Sequence, residues 1–86
     1  MSTHQSDWSE VDGALERTFE CASFAEAIAF VNRVAEVAER ENHHPDILLS
    51  YRKVTVRWVS HSAGGITDRD HVLAGGTSEV FTAFAR

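Results

Sequence analysis

Cysteine, basic charge and long apolar runs are all scarce in this sequence of 86 residues. Cys21 is the only cysteine, so the chain can close no internal disulfide and completes no cysteine-based zinc site. No other feature marks Cys21 as a nucleophile, and it reads as a small apolar residue near a strand end. Eight basic residues stand against 13 acidic ones, a formal charge of −5 that opposes phosphate backbones and argues against direct nucleic-acid binding. The longest uninterrupted apolar stretch, Ala27 to Val31, falls far short of the roughly 20 residues that span a bilayer. Met1 to Asp7 is polar, without the basic start of a secretory leader. These absences point to a cytoplasmic protein with no membrane partner.

What is present has the balance of an ordinary globular protein, 43% hydrophobic and 24% charged. A chain this short is expected to form a single domain over residues 1–86 around one modest core, with residues 1–6 frayed because they carry no periodic signal. Asp12-Gly13, between two short runs within Trp8 to Phe19, is a dipeptide that favours a tight hairpin. Ser23-Phe24-Ala25-Glu26 is a capping box and starts a helix. Phe24, Ala27, Ile28, Val31, Val34, Ala35 and Ala38 then recur at helical spacing as one apolar stripe. Asn42 suits a left-handed cap, and Pro45 disfavours helical geometry at His44, so this helix ends at about Glu41 to His43. Asp46 to Tyr51 and Val54 to Ser60 favour strands joined near Arg52-Lys53. After the loop signal Gly64-Gly65, Thr67 to Asp70 resembles a second capping box, and a last helix starts at about Asp68. Gly75-Gly76 within it costs about 1 kcal/mol per glycine relative to alanine, and is expected to kink or shorten it.

Five of the 86 residues are histidines, whose unperturbed pKa of about 6.5 suits proton transfer near neutral pH. His43 and His44 stand at the helix exit, and Glu39 lies four residues before His43, so helical spacing stacks its carboxylate beside that imidazole. His61 closes the strand that begins at Val54. The same placements also suit histidines that merely complement a helix dipole, and an Asp70 that is only a helix cap. Glu39, His43, His44, His61 and His71 are all potential metal ligands, yet none falls in a spacing that demands a metal. Strict alternation puts His61 on the face opposite Val54, Val56 and Trp58, so its convergence with His43 requires a turn or bulge at about Ser60.

The run Glu39, His43-His44-Pro45, Tyr51, His61, Asp70 is similar in residue type and spacing to the signature of pterin-4a-carbinolamine dehydratases. The resemblance extends to Asn42 and Asp46 around the histidine pair, to Ser60 and Gly64-Gly65-Ile66-Thr67, and upstream to Trp8, Leu15, Arg17, Phe19, Phe24, Ala27 and Phe30. Ser60 stands where the family more often has threonine, and Gly75-Gly76 is unusual for it. The resemblance implies an α+β sandwich, an antiparallel four-stranded sheet with helices packed on one face, assembling into homodimers or homotetramers. It implies a hydro-lyase that eliminates water from 4a-hydroxytetrahydropterin to give quinonoid dihydropterin in tetrahydropterin recycling, with no metal or other cofactor. It also implies site roles: His43 and His61 as the acid and base pair, His44 as the residue that holds the pterin ring, and Pro45 as the shaper of their turn. By the same resemblance Glu39 orients or tunes His43, and Asp70 positions His61 or the loop carrying it. The alternative is a non-catalytic binding or assembly module with the same fold, such as a transcriptional cofactor.

Overall fold

A computed structural model describes residues 7–84, and the fraying expected of residues 1–6 lies outside the described residues. Strands β1 (Ser9–Val11) and β2 (Ala14–Glu20) flank a two-residue turn in which Asp12 and Gly13 both have positive φ, 50° and 81°. That is the turn whose twist matches paired strands, and it needs residues tolerant of left-handed geometry. Helix α1 (Phe24–Glu41) starts where the Glu26 amide donates to Ser23 Oγ, 3.0 Å away, and ends at left-handed Asn42. Strands β3 (Asp46–Ser50) and β4 (Lys53–Trp58) follow, then a short 3₁₀ turn (His61–Ala63) and helix α2 (Asp68–Phe84). The second hairpin turns at Tyr51-Arg52, one residue earlier than the sequence suggests. Tyr51 takes the left-handed φ of 55°, which lets Ser50 and Lys53 pair directly.

The four strands form one antiparallel sheet in the order β1-β2-β4-β3, with both helices on one face. Register assigns the faces. Leu15, Arg17 and Phe19 oppose Trp58, Val56 and Val54 on the helix side, while Glu16, Thr18 and Glu20 oppose Arg57, Thr55 and Lys53 on the open side. The helix side is dry, with Phe19, Phe30, Val34, Val54, Val56 and Trp58 all at most 1% exposed. The open side is polar: Arg57 donates to Glu16 Oε1 at 2.6 Å, and the Thr18 and Thr55 hydroxyls meet at 2.9 Å.

Two expectations change. The buried stripe of α1 is Ala27, Phe30, Val34 and Ala38, whereas Phe24 is 51% and Ile28 37% exposed. At about 100° per residue those four positions cluster on one line, and Phe24 and Ile28 fall on its flank. Helix α2 neither kinks nor ends at the glycine pair but runs unbroken to Phe84. Leu73, Ala74 and Thr77, all buried against the sheet, hold it through that point, since packing rather than propensity supplies most helical stability in proteins. A Cβ built at Gly75 or Gly76 meets nothing within 4 Å. Gly75→Ala and Gly76→Ala are therefore each expected to stabilise the protein by about 0.5–1 kcal/mol. Urea unfolding checks this, and a lowered midpoint in either variant would mean that this stretch of α2 is not free to accept a methyl group. No helix among the described residues is long and apolar enough to cross a membrane.

Candidate active site

The chain leaves α1 through left-handed Asn42, and the His43 amide still donates to the Ala38 carbonyl at 3.1 Å. This reversal turns His43 inward. Its Nε2–H donates to Asp70 Oδ1 at 2.7 Å, and only 14% of the His43 side chain remains exposed. Its ring lies 5.7 Å from that of Trp58, with the two planes 5° apart. Asp70 arrives from the first turn of α2 and is completely buried.

Four donors surround this one carboxylate. Besides His43, the Thr67 amide and the Ser60 hydroxyl each donate to Asp70 Oδ2 at 2.8 Å, and Thr67 Oγ1 lies 3.3 Å from the same oxygen. The amide contact is one half of the capping box suggested by Thr67 to Asp70; the other half is replaced, because the Asp70 amide donates to the Thr67 carbonyl and the Thr67 hydroxyl meets Ser60 and the carboxylate. Burial alone would raise the Asp70 carboxyl. The hydrogen bond from His43, those from the Thr67 amide and Ser60, and the His43 charge outweigh it and hold the pKa below its ordinary 3.8. Asp70 is thus an anion kept in the dry interior by donors.

The contacts of Glu39 and Asp70 depart from the sequence reading. Glu39 Oε2 accepts from His44 Nε2 at 2.7 Å, at the exposed surface, and does not meet His43. The reason is the reversal at Asn42, which sends His43 toward α2 and leaves His44 on the side where the last turn of α1 presents Glu39. Asp70 bonds His43 rather than His61. It does grip the segment that carries His61, through Ser60 immediately before it and Thr67 after it.

No bulge redirects His61. Alternation continues through Ser60, which is 7% exposed and bridges to Gly65, so His61 opens the 3₁₀ turn on the open side. There it lines a hollow of about 310 Å³ with Asp12, Asp46, Arg57 and the Gly64-Gly65 backbone. Pro45 lies between His44 and the start of β3 at Asp46. Tyr51 forms the distant β3–β4 turn, 71% exposed, and stands apart from these groups. Glu39, His43, His44, His61 and His71 do not gather into a group that could hold a metal ion, and no such group of three occurs among the described residues. Cys21 is buried; desolvation pushes its thiol up, with the Glu26 charge adding to the shift, as suits an inert apolar residue.

The sequence does not reveal Trp58 and Ser60 as neighbours of His43, Ser60 and Thr67 as partners of Asp70, or Asp12, Asp46 and Arg57 as residues lining the hollow with His61. The Thr67-to-Asp70 spacing signalled one of these contacts; the others join residues with no sequence pattern in common.

A small α+β sandwich carrying a histidine paired to a buried aspartate defines the class, and comparison with known proteins supplies the family. Residues 1–80 match the family profile described as pterin 4 alpha carbinolamine dehydratase, and the chain belongs to that family. A protein of Picosynechococcus sp. that bears this name provisionally is 52% identical over 69 residues, covering 80% of this chain and 75% of its own. A relative from Thermomicrobium roseum, named in the same way, is 52% identical over 67 residues, 78% of this chain and 72% of its own. Among solved structures, a transcriptional coactivator/pterin dehydratase from Brucella melitensis superposes with a TM-score of 0.83 at 31% identity, covering 88% of this chain and 83% of its own. A pterin dehydratase-like protein described as a RuBisCO assembly factor of the alpha-carboxysome shares the fold, with a TM-score of 0.75 at 20% identity and coverage of 93% and 95%.

Proposed function

We propose that the protein is a hydro-lyase that removes water from 4a-hydroxytetrahydropterin to give quinonoid dihydropterin. The observation that carries this reading is the buried Asp70–His43 pair. With Nε2–H committed to Asp70, the lone pair of the neutral imidazole is on Nδ1, and the carboxylate stabilises the imidazolium formed when Nδ1 takes a proton. His43 is then the base that accepts the N5 proton. His61 lines a hollow on the other side of the sheet from His43, one residue beyond the Ser60 hydroxyl that lies 3.5 Å from His43 Nε2, and this reading has its exposed side chain swing toward the substrate at His43 to act as the acid that protonates the departing 4a-hydroxyl. The N5–H and C4a–O bonds break, the C4a=N5 double bond forms, and water leaves. Proton return from His43 to His61 through solvent resets the pair. The hollow beside His61 is of the size that takes a small ligand, and His44, braced by Glu39 outside the lining of that hollow, is the residue this reading assigns to holding the pterin ring.

The purified protein is expected to accelerate loss of the carbinolamine absorbance, and chelator treatment to leave the rate unchanged. A rate equal to the spontaneous one sinks the enzymatic reading in favour of a binding or coactivator module, for which the double description of the Brucella protein offers support. We also propose a cytoplasmic homo-oligomer. Strands β1 and β3 are both sheet edges, and Leu48 on β3 is 66% exposed. Sedimentation as a single 9.5 kDa chain at micromolar concentration would remove that part.

A further inference from the structure

Trp58 belongs to the core and also faces a residue of the site. It is fully buried at the end of β4, and its ring plane departs by only 5° from that of His43. A centroid separation of 5.7 Å at that angle is an offset parallel stack, within the range in which an aromatic face attracts a cation. The indole is itself pinned. Its Nε1–H donates to Thr77 Oγ1 at 3.0 Å, and the Thr77 hydroxyl donates to the Leu73 carbonyl at 2.7 Å, inside α2. Every member of this chain is buried, so the indole plane has little freedom to rotate.

We infer that Trp58 is a positioning residue for the reaction: its face fixes the rotation of the His43 ring and favours the imidazolium, with Thr77 holding the indole in register. The inference rests on the reading that His43 transfers the N5 proton. Two restraints then meet on one imidazole. Asp70 fixes the ring at one edge through Nε2, and Trp58 fixes its plane, which together leave Nδ1 in a single direction. Among the described residues, the groups that face His43 are the Asp70 carboxylate from α2, the Ser60 hydroxyl from the segment after β4, and this indole; Glu39 of α1 is turned to His44. The aromatic face therefore acts on a histidine with one charged partner.

Phenylalanine and methionine are close in size and hydrophobicity, but only phenylalanine offers a ring face. A role in packing alone treats Trp58→Phe and Trp58→Met alike, whereas a stacking role separates them. The test is the titration of the assigned His43 ring proton resonance by NMR, alongside kcat and KM. In Trp58→Met the midpoint is expected to fall by about 0.5 to 1 pH unit, the size of a partly desolvated cation–π contact. Trp58→Phe is expected to fall between Trp58→Met and the parent, because the benzene face attracts cations less strongly than indole. In Trp58→Met, kcat should drop by about 10-fold as the ring loses its aim, with KM nearly unchanged. Equal midpoints in parent, Trp58→Phe and Trp58→Met, with only the melting temperature lowered, overturn the inference. If Trp58→Met does not fold, Trp58→Phe against the parent decides it, and a midpoint identical to the parent's overturns it. The NMR arm also separates this inference from the function it rests on: a graded midpoint in a protein without dehydratase activity discards the reaction and keeps the stack.

Discussion

His43→Gln is expected to lower turnover by about 10²- to 10⁴-fold, the usual cost of losing a general acid or base. It should leave the fold largely intact. The glutamine amide can still donate to Asp70 Oδ1 from nearly the position of Nε2, so the buried carboxylate keeps its partner, but no group remains that can take a proton near neutral pH. His43→Ala should lose the same activity and also stability, because it removes one donor from a completely buried anion and one ring from the Trp58 stack. The burial of this pair thus rules out treating His43→Ala as a change of chemistry alone, which its place at a helix exit would suggest. His61→Ala should lower turnover over the same range with little loss of stability, since His61 is exposed and outside the Asp70 network. Steady-state kinetics with thermal melts on all three variants check this. If His43→Gln is folded and turns over at the parent rate, the assignment of His43 as the base is wrong.

Asp70→Ala is expected to destabilise the protein by about 3–5 kcal/mol, the range seen when one partner of a buried ionic pair is removed. That is a large share of the roughly 5–15 kcal/mol that holds a typical domain together. The Ser60 hydroxyl, the Thr67 amide and His43 Nε2–H all lose their acceptor at once, in a region with little access to water. The same group sets an acid limit on stability. Its pKa is lowered on folding, so its contribution is fully present above the unfolded value near 3.8 and is lost as pH falls below that value and through the lower folded one. Urea unfolding of the parent should therefore weaken steeply below about pH 4, and Asp70→Asn should flatten that limb while being less stable at pH 7. An Asp70→Ala variant within about 1 kcal/mol of the parent at pH 7 would contradict the central place given to this carboxylate.

Much of the architecture was legible because it is set by neighbours in the chain. Asp12-Gly13 makes the first hairpin because its turn needs positive φ at both positions and these residue types tolerate it, and Ser23 caps α1 because the Glu26 amide is three residues away. The two hairpins were readable, but the pairing of β2 with β4 that joins them was not, since nothing local records which edge meets which. The unbroken helix through Gly75-Gly76 is hidden from the sequence for the same reason: propensity penalises the glycines, and the sheet beneath Leu73, Ala74 and Thr77 overrides it.

At the site, the sequence by itself determined which residue types stand where: two histidines before a proline, a third after β4, and a carboxylate at N-capping distance from Thr67. Only the tertiary structure decided which of them meet. Glu39 is four residues from His43 in sequence, yet pairs with His44; Asp70 is 27 residues from His43 and bonds it at 2.7 Å. A single left-handed residue, Asn42, reverses the chain after α1, and helical spacing stops applying beyond it. From there the directions of His43, Ser60 and Thr67 follow what the buried Asp70 anion requires, while His44 turns to Glu39 and His61 to the open side. A charge in the dry interior persists only where donors surround it, and His43, Ser60 and Thr67 are the donors that the packing of α2 against α1 and β4 brings within reach.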